Sequence, residues 1–345
     1  MTIKRFASLA ALLLVLTLAA CQPVVVATGT ANGSNATVGP ILSSLSAHPT
    51  TTPSPTITPI PFTATFTALP ITPSATTTFT PRPTATPVVF AAIGDYGSGD
   101  QYEADVANLV LSWKPDFIIT LGDNNYPSGA ADTIDQAIGQ FFHSYIYPYK
   151  GSYGEGADIN RFFPCLGNHD LHTNNGQPYF DYFTLPGNQR YYDFTWGPVH
   201  LFALDDIETE PDGVGVSSIQ AEWLKAELAA STSPWNIVYM HYPPYSSGLH
   251  GSTDWARWPY KDWGADAVLA GHDHTYERLE EAGLPYFVNG LGGGGIYYFP
   301  DILDGSVIRY GADYGAMRIE AMDSFIQFEF INRSGEIVDS YELEK

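Results

Sequence analysis

Two cysteines in 345 residues are too few for a disulfide scaffold or a four-cysteine zinc site. Basic residues are scarce as well: 15 Lys+Arg stand against 37 Asp+Glu, a formal charge of −22. That balance leaves no basic footprint, so no nucleic acid is expected as a macromolecular partner. Acidic residues are themselves missing from the start of the chain, where Asp95 is the first. All 37 acids but only 12 of the 15 bases lie from Asp95 onward, a charge of −25. The apolar run Phe6 to Ala20 covers 15 residues, short of the roughly 20 that span a membrane comfortably.

What is present divides the chain into three parts. Lys4 and Arg5 precede the apolar run, which ends Leu18-Ala19-Ala20-Cys21. A charged start, an apolar middle and small residues before a cysteine resemble a bacterial lipobox, with cleavage before Cys21 and lipid on its sulfur. The alternative is an ordinary signal peptide cut after Ala20. Either way the remainder is expected to be exported. Lipid on Cys21 implies anchoring to the cell membrane, facing outside the cytoplasm, and its absence implies secretion. Residues 22–87 read as a disordered linker: the 39 residues from Pro49 to Pro87 include 15 Thr and 10 Pro. Such a segment buries too little to offset its ordering entropy and favours extended polyproline II. Residues 88–345 are long enough for one large domain.

Within that domain short apolar runs alternate with helical patterns. Strands are expected at Val88–Ile93, Asp116–Leu121, Phe162–Leu166, Val199–Leu204, Trp235–Met240 and Ala265–Ala270. Further strands follow at Tyr286–Asn289, Val307–Tyr310, Ala316–Ala321 and Phe325–Ile331. One helix is expected to bury Ala104, Leu109, Val110 and Trp113, and another to cover about Ser218–Ala230. The pattern predicts mixed sheets with helices outside, a layered α/β sandwich.

Five of these strands end in residues that ligate metals. Val88–Ile93 runs into Gly94-Asp95-Tyr96-Gly97, and Phe117–Leu121 into Gly122-Asp123-Asn124-Asn125-Tyr126. Phe162–Leu166 runs into Gly167-Asn168-His169-Asp170; Trp235–Met240 ends at His241; Val268–Ala270 runs into Gly271-His272-Asp273-His274. Open α/β sheets place their sites at the carboxyl ends of strands, so these side chains are expected to converge. Any one block alone reads as a turn; five in this order do not.

The blocks GDYG, GDNNY, GNHD, VYMH and GHDH resemble the calcineurin-like metallophosphoesterases, and within them the purple acid phosphatases of the small, single-domain type. The resemblance covers about Val88 to Phe330 and implies an αββα sandwich of two mixed sheets flanked by helices. It implies one metal on Asp95, Asp123, Tyr126 and His274, and a second on Asp123, Asn168, His241 and His272. Asp123 is the bridge. A phenolate with carboxylates suits Fe(III); imidazoles and an amide oxygen suit a divalent ion such as Zn, Fe or Mn.

The implied activity is an acid phosphatase acting on phosphomonoesters by two-metal activation of water. His169 is then expected to contact the phosphoryl group, oriented by Asp170. His250 is expected to contact substrate and protonate the leaving group, its alternative being a surface loop histidine. His172 is an outside candidate; His143 and His200 read as structural. Cys165 reads as a small core residue. Trp255, Trp258, Tyr260 and Trp263 are either core or the lining of a substrate pocket. Two other functions stay open: a phosphodiesterase or nucleotidase on the same metals, and a non-catalytic cell-surface binding module, which predicts lost ligands.

Overall fold

The structure is a computed structural model that describes residues 86–345. The leader, Cys21 and all but the last two residues of the linker lie outside the described residues. In chain order the strands are β1 (Val88–Ile93), β2 (Phe117–Thr120), β3 (Phe162–Pro164), β4 (Tyr192–Trp196), β5 (Val199–Ala203) and β6 (Trp235–Tyr239). They continue as β7 (Ala267–Ala270), β8 (Tyr276–Glu281), β9 (Leu284–Asn289), β10 (Ser306–Tyr310), β11 (Gly315–Met322), β12 (Phe325–Asn332) and β13 (Ile337–Glu344).

One sheet runs β13-β12-β11-β1-β2-β3 and the other β10-β8-β9-β7-β6-β5-β4. Within the first, β1, β2 and β3 are parallel neighbours. Within the second, β5, β6, β7 and β9 are parallel. The carboxyl ends of β1–β3 therefore share one edge of the first sheet, and those of β5–β7 one edge of the second.

Alternation along the strands sorts side chains between layers. Leu201, Ile237, Leu269 and Phe287 pack into the main core with Phe90, Phe117 and Ile319 of the first sheet. Their neighbours Phe202, Val238, Val268 and Val288 face the other way, onto Ala221, Leu224 and Leu228 of the helix Ile219–Ala230. The helix Gln101–Ser112 buries Val106, Ala107 and Val110 in the main core. Two sheets between helices is the layered sandwich expected from the sequence. Both helices start on capping side chains: Asp100 accepts from Tyr102 N and Glu103 N, and Ser218 Oγ from Ala221 N. Such caps contribute about 1 kcal/mol each.

Some expectations shift. The first helix buries Glu103, Val106, Ala107 and Val110, while Ala104, Leu109 and Trp113 are only half-buried. Glu103 belongs to the buried face, where its Oε2 accepts from Gly99 N at 2.6 Å. Strands β4, β8 and β13 carry acids among their apolar residues and have no uniform hydrophobic run. Cys165 is free and fully buried in the core.

One ion pair ties the two sheets. Arg278 on β8 donates from Nε to Asp339 Oδ2 at 2.7 Å and from Nη2 to Oδ1 at 3.1 Å. Asp339 lies on β13 of the other sheet and also accepts from Tyr276 Oη at 2.8 Å. All three are buried, and removing one partner of such a pair strands the other charge. Asp339→Ala is expected to lower unfolding stability by about 3 kcal/mol. Urea denaturation of the metal-free protein measures this, and Asp339→Asn should cost less.

Candidate metal centre

The five motif loops meet where the carboxyl ends of the two sheets face each other. Their backbones adopt rare conformations to get there. Asp95, Asp123 and His272 have positive φ, at 55°, 51° and 69°. This is the left-handed region that non-glycine residues seldom occupy, and occupancy concentrates at functional sites. Each turn aims a side chain back across the strand ends rather than along its own strand. Two glycines make room. Gly122 has φ +84°, and a Cβ there would lie 2.5 Å from His241 Nδ1; a Cβ at Gly167 would lie 2.1 Å from Asp123 N.

Three side chains gather on one side of Asp123. Tyr126 Oη lies 2.9 Å from Asp123 Oδ2, 3.2 Å from Asp95 Oδ1 and 3.1 Å from His274 Nε2. His274 Nε2 in turn lies 3.3 Å from Asp95 Oδ1. One phenol proton thus faces two carboxylate oxygens, with the His274 ring nitrogen beside them. Asp95 is steadied from behind, where its Oδ2 accepts from His272 N at 2.8 Å.

A second group gathers on the other side. His241 donates from Nδ1 to Leu121 O at 2.8 Å, which directs Nε2 toward Asn168 Oδ1 at 3.1 Å and Asp123 Oδ1 at 3.4 Å. With Nδ1 carrying the proton, Nε2 brings a lone pair toward two oxygen acceptors. That convergence is unfavourable unless a proton or a cation lies within it. The His272 ring stands beside His241, centroids 5.0 Å apart. Asp95, Asp123 and His241 are fully or almost fully buried, and one ligand atom from each lies within 4.8 Å of the others. The donor set therefore fits two cations sharing Asp123: phenol, carboxylates and imidazole on one side, imidazoles and an amide oxygen on the other.

His169 and His250 flank this cluster. His169 donates from Nδ1 to Pro127 O at 2.6 Å, leaving Nε2 3.9 Å from Asp123 Oδ2. His250 stacks on the His272 ring at 4.3 Å with a 25° interplanar angle, and its backbone N donates to Asp273 Oδ1 at 2.7 Å.

Asp170 departs from the expectation that it orients His169. The Pro127 carbonyl holds the His169 ring instead. Asp170 accepts from Gly167 N at 2.9 Å and from Asn124 Nδ2 at 2.8 Å, so it ties the third motif to the second. Exposed His172 sits beside the His169 ring at 4.9 Å. His143 and His200 are held by local partners, Gly139 O for the first and Asp193 and Ser231 for the second. Of the aromatic cluster, Trp258 and Tyr260 are core, whereas Trp255 is partly exposed beside the site.

Sequence reasoning missed two supporting residues. Asp206 Oδ1 accepts from His241 N at 3.3 Å and Tyr242 N at 3.2 Å, setting the turn that presents His241. The clue was Asp205-Asp206 after the apolar run Val199–Leu204, another acid at a strand end. Tyr297 stacks on His274 at 4.2 Å, the two rings nearly parallel. Only its position just after the glycine run Gly292–Gly295 marked it.

The fold and the cluster define an α/β domain that gathers hard and borderline metal ligands at its strand ends. Residues 88–276 match the family model of calcineurin-like phosphoesterases, and the chain belongs to that family. Its homologues include tartrate-resistant acid phosphatase type 5 of Mus musculus, 28% identical over 217 residues, covering 54% of this chain and 64% of that protein. Purple acid phosphatase 15 of Arabidopsis thaliana is 26% identical over 243 residues, covering 59% of this chain and 44% of that protein. Among solved structures, a purple acid phosphatase from yellow lupin seeds superposes with TM-score 0.62 at 17% identity, covering 75% of this chain and 54% of that one. GAP50, the anchor in the inner membrane complex of Plasmodium, gives TM-score 0.59 at 19% identity, covering 75% of this chain and 89% of that one. These two superpositions speak to the fold.

Without cations the centre is electrostatically uneasy. Burial pushes Asp170 up to about 7, helped by repulsion from Asp123, and burial likewise pushes Asp206 up to about 7. Burial also raises Asp205 and Glu103. Unfolded, these carboxyls ionise near 4, so between about pH 4 and 7 the folded state holds more protons. His272 acts oppositely, since burial lowers it to about 2 and keeps it neutral in the fold. Four carboxyls outweigh one imidazole. The metal-free protein should therefore lose stability as pH rises from 4 to 7, and Asp170→Asn should flatten the decline. Thermal melts across that range, in chelator, measure both slopes.

Proposed function

We propose that this chain is an exported acid phosphatase that hydrolyses phosphomonoesters at a pair of cations. Asp95, Asp123, Tyr126 and His274 hold Fe(III), and Asp123, Asn168, His241 and His272 hold a divalent ion, Zn, Fe or Mn. The observation that carries this reading is the convergence of two ligand groups on opposite oxygens of one buried carboxylate, Asp123. A lipid on Cys21 tethers the enzyme to the membrane, with residues 22–87 as the spacer. The resemblance of the first residues to a lipobox supports that placement.

Cations bound in this centre supply Lewis acidity, acidifying water and drawing charge from phosphoryl oxygens. The protein's own groups do the rest. His169, with Nδ1 occupied by Pro127 O, offers Nε2 to a phosphoryl oxygen of the substrate. His250 makes no ring hydrogen bond among the described residues and stands beside His272. In this reading it hands a proton to the departing alkoxide, which a poor leaving group needs most. Asp123, locked by His169 N at 2.9 Å, keeps both ligand groups in one register. Tyr126 is held as a neutral phenol by burial and by Asp95 and Asp123, its pKa far above the ordinary range. Only a strongly charged cation would ionise it there, which is why iron is assigned to its side.

A diesterase would share this centre, and a binding module would have shed ligands that are all present here. Parallel assays of the metal-loaded protein on nitrophenyl phosphate and bis-nitrophenyl phosphate separate the enzymes. Monoester turnover should exceed diester turnover at least about tenfold; hydrolysis of the diester alone would reject the monoesterase reading. His250→Ala should cost about 100-fold with alkyl phosphates and much less with the nitrophenyl ester. An equal loss on both would argue against proton donation by His250.

A further inference from the structure

A cleft of about 230 Å³ opens beside the centre, lined by Glu208, Tyr242, His250, Thr253, Trp255 and His272. It starts at the histidine placed to protonate the leaving group and runs outward over aromatic rings. Tyr242 lies against His272 at 4.3 Å, and Trp255 stands edge-on to Tyr242 at 6.2 Å. Trp255 is 37% exposed, yet its indole is fixed, because Nε1 donates to Asp206 O at 3.0 Å. Asp206 also sets the His241 turn, so the indole is held rigidly relative to the centre. A fixed, exposed ring has little to lose in ordering when it meets a second ring. A cavity of about 150 Å³ suffices for benzene, so the cleft has room for one ring and a short substituent.

Beyond the imidazolium proposed for His250 at its inner end, the cleft's charged lining residue is Glu208. No lysine or arginine lines it. Glu208 is exposed at its edge and, among the described residues, meets no cation and no hydrogen-bond donor. An anionic leaving group would meet this carboxylate, whereas an ammonium would be drawn to it and to the ring faces.

We infer that the Tyr242–Trp255 cleft is a leaving-group subsite that selects phosphate monoesters of aromatic alcohols bearing a positive charge, with Trp255 supplying the ring contact and Glu208 the charge selection. The inference rests on the phosphomonoesterase reading of the same centre and adds to it the class of alcohol released.

Two aryl esters with similar phenols test it: tyramine O-phosphate, with an ammonium tail, and 4-hydroxyphenylacetate O-phosphate, with a carboxylate tail. Ethanolamine phosphate, a cation without a ring, is the third substrate. The metal-loaded protein should favour the tyramine ester over the acetate ester by about five- to tenfold in kcat/KM. Glu208→Gln should bring that ratio close to one, and Glu208→Lys should invert it. Trp255→Phe and Trp255→Ala should lower both aryl esters relative to ethanolamine phosphate, the alanine variant more. Equal kcat/KM for the two aryl esters in the unsubstituted protein would overturn the inference, as would ratios unmoved by the substitutions. Tyramine alone, titrated against indole fluorescence, reads the cleft without the chemistry. Saturable binding weakened by Glu208→Gln supports the subsite even if no ester is hydrolysed; absence of binding refutes it.

Discussion

The Asp123 carboxylate, almost fully buried, organises the loops around it. Its two oxygens face two sets of ligands drawn from loops of both sheets. A buried carboxylate is costly unless its charge is met, and here backbone donors meet only part of it. The fold supplies backbone N–H from His169, a phenol from Tyr126, and beyond these mostly further acceptors. Such a cluster is stable as drawn only with protons or cations among its lone pairs. The left-handed turns at Asp95, Asp123 and His272 make the same point in backbone terms. Strain of this kind persists where the surrounding structure holds it in place. Glycines at 122 and 167 and the Asp170–Asn124 link provide that hold.

The two sheets are as much a part of the centre as its ligands. His241 reaches across from β6 to the carbonyl of Leu121 after β2, and His272 N after β7 reaches Asp95 after β1. These bonds join the sheets at the edge where the loops meet. The Arg278–Asp339 pair and Trp235 Nε1 on Met322 O join them elsewhere. The proposed cation pair therefore lies on a seam whose geometry is fixed by packing on both sides. The net charge of −25 from Asp95 onward is compatible with phosphate chemistry because exposed charges are screened beyond about 8–10 Å. Several of the acids lie in the centre itself.

The five motif loops were legible in the sequence because each follows an apolar strand, a pattern that survives without any tertiary information; the ligand roles given to their side chains came from the family resemblance. The layered fold was legible for the same reason: buried parallel strands such as Val88–Ile93 and Trp235–Tyr239 are continuous apolar runs. What was not legible depends on contacts between distant segments. Strand β8 reads as polar because Glu277 and Arg278 find partners, Ser247 N for the one and Asp339 for the other, far along the chain. Asp170 looked like a partner for the adjacent His169, but its carboxylate turns toward Asn124, 46 residues away. Tyr242 and Trp255 wall the cleft only because the loop between them folds back on the centre. No periodicity in the sequence marks such a return.

Elemental analysis of the purified protein decides whether two cations share Asp123. Two metal ions per chain are expected, one of them iron, with both sites weakened in Asp123→Asn because each loses the shared oxygen ligand. A protein that holds one ion or none when supplied with iron and zinc would contradict that sharing. So would an Asp123→Asn variant that retains both ions with unchanged affinity.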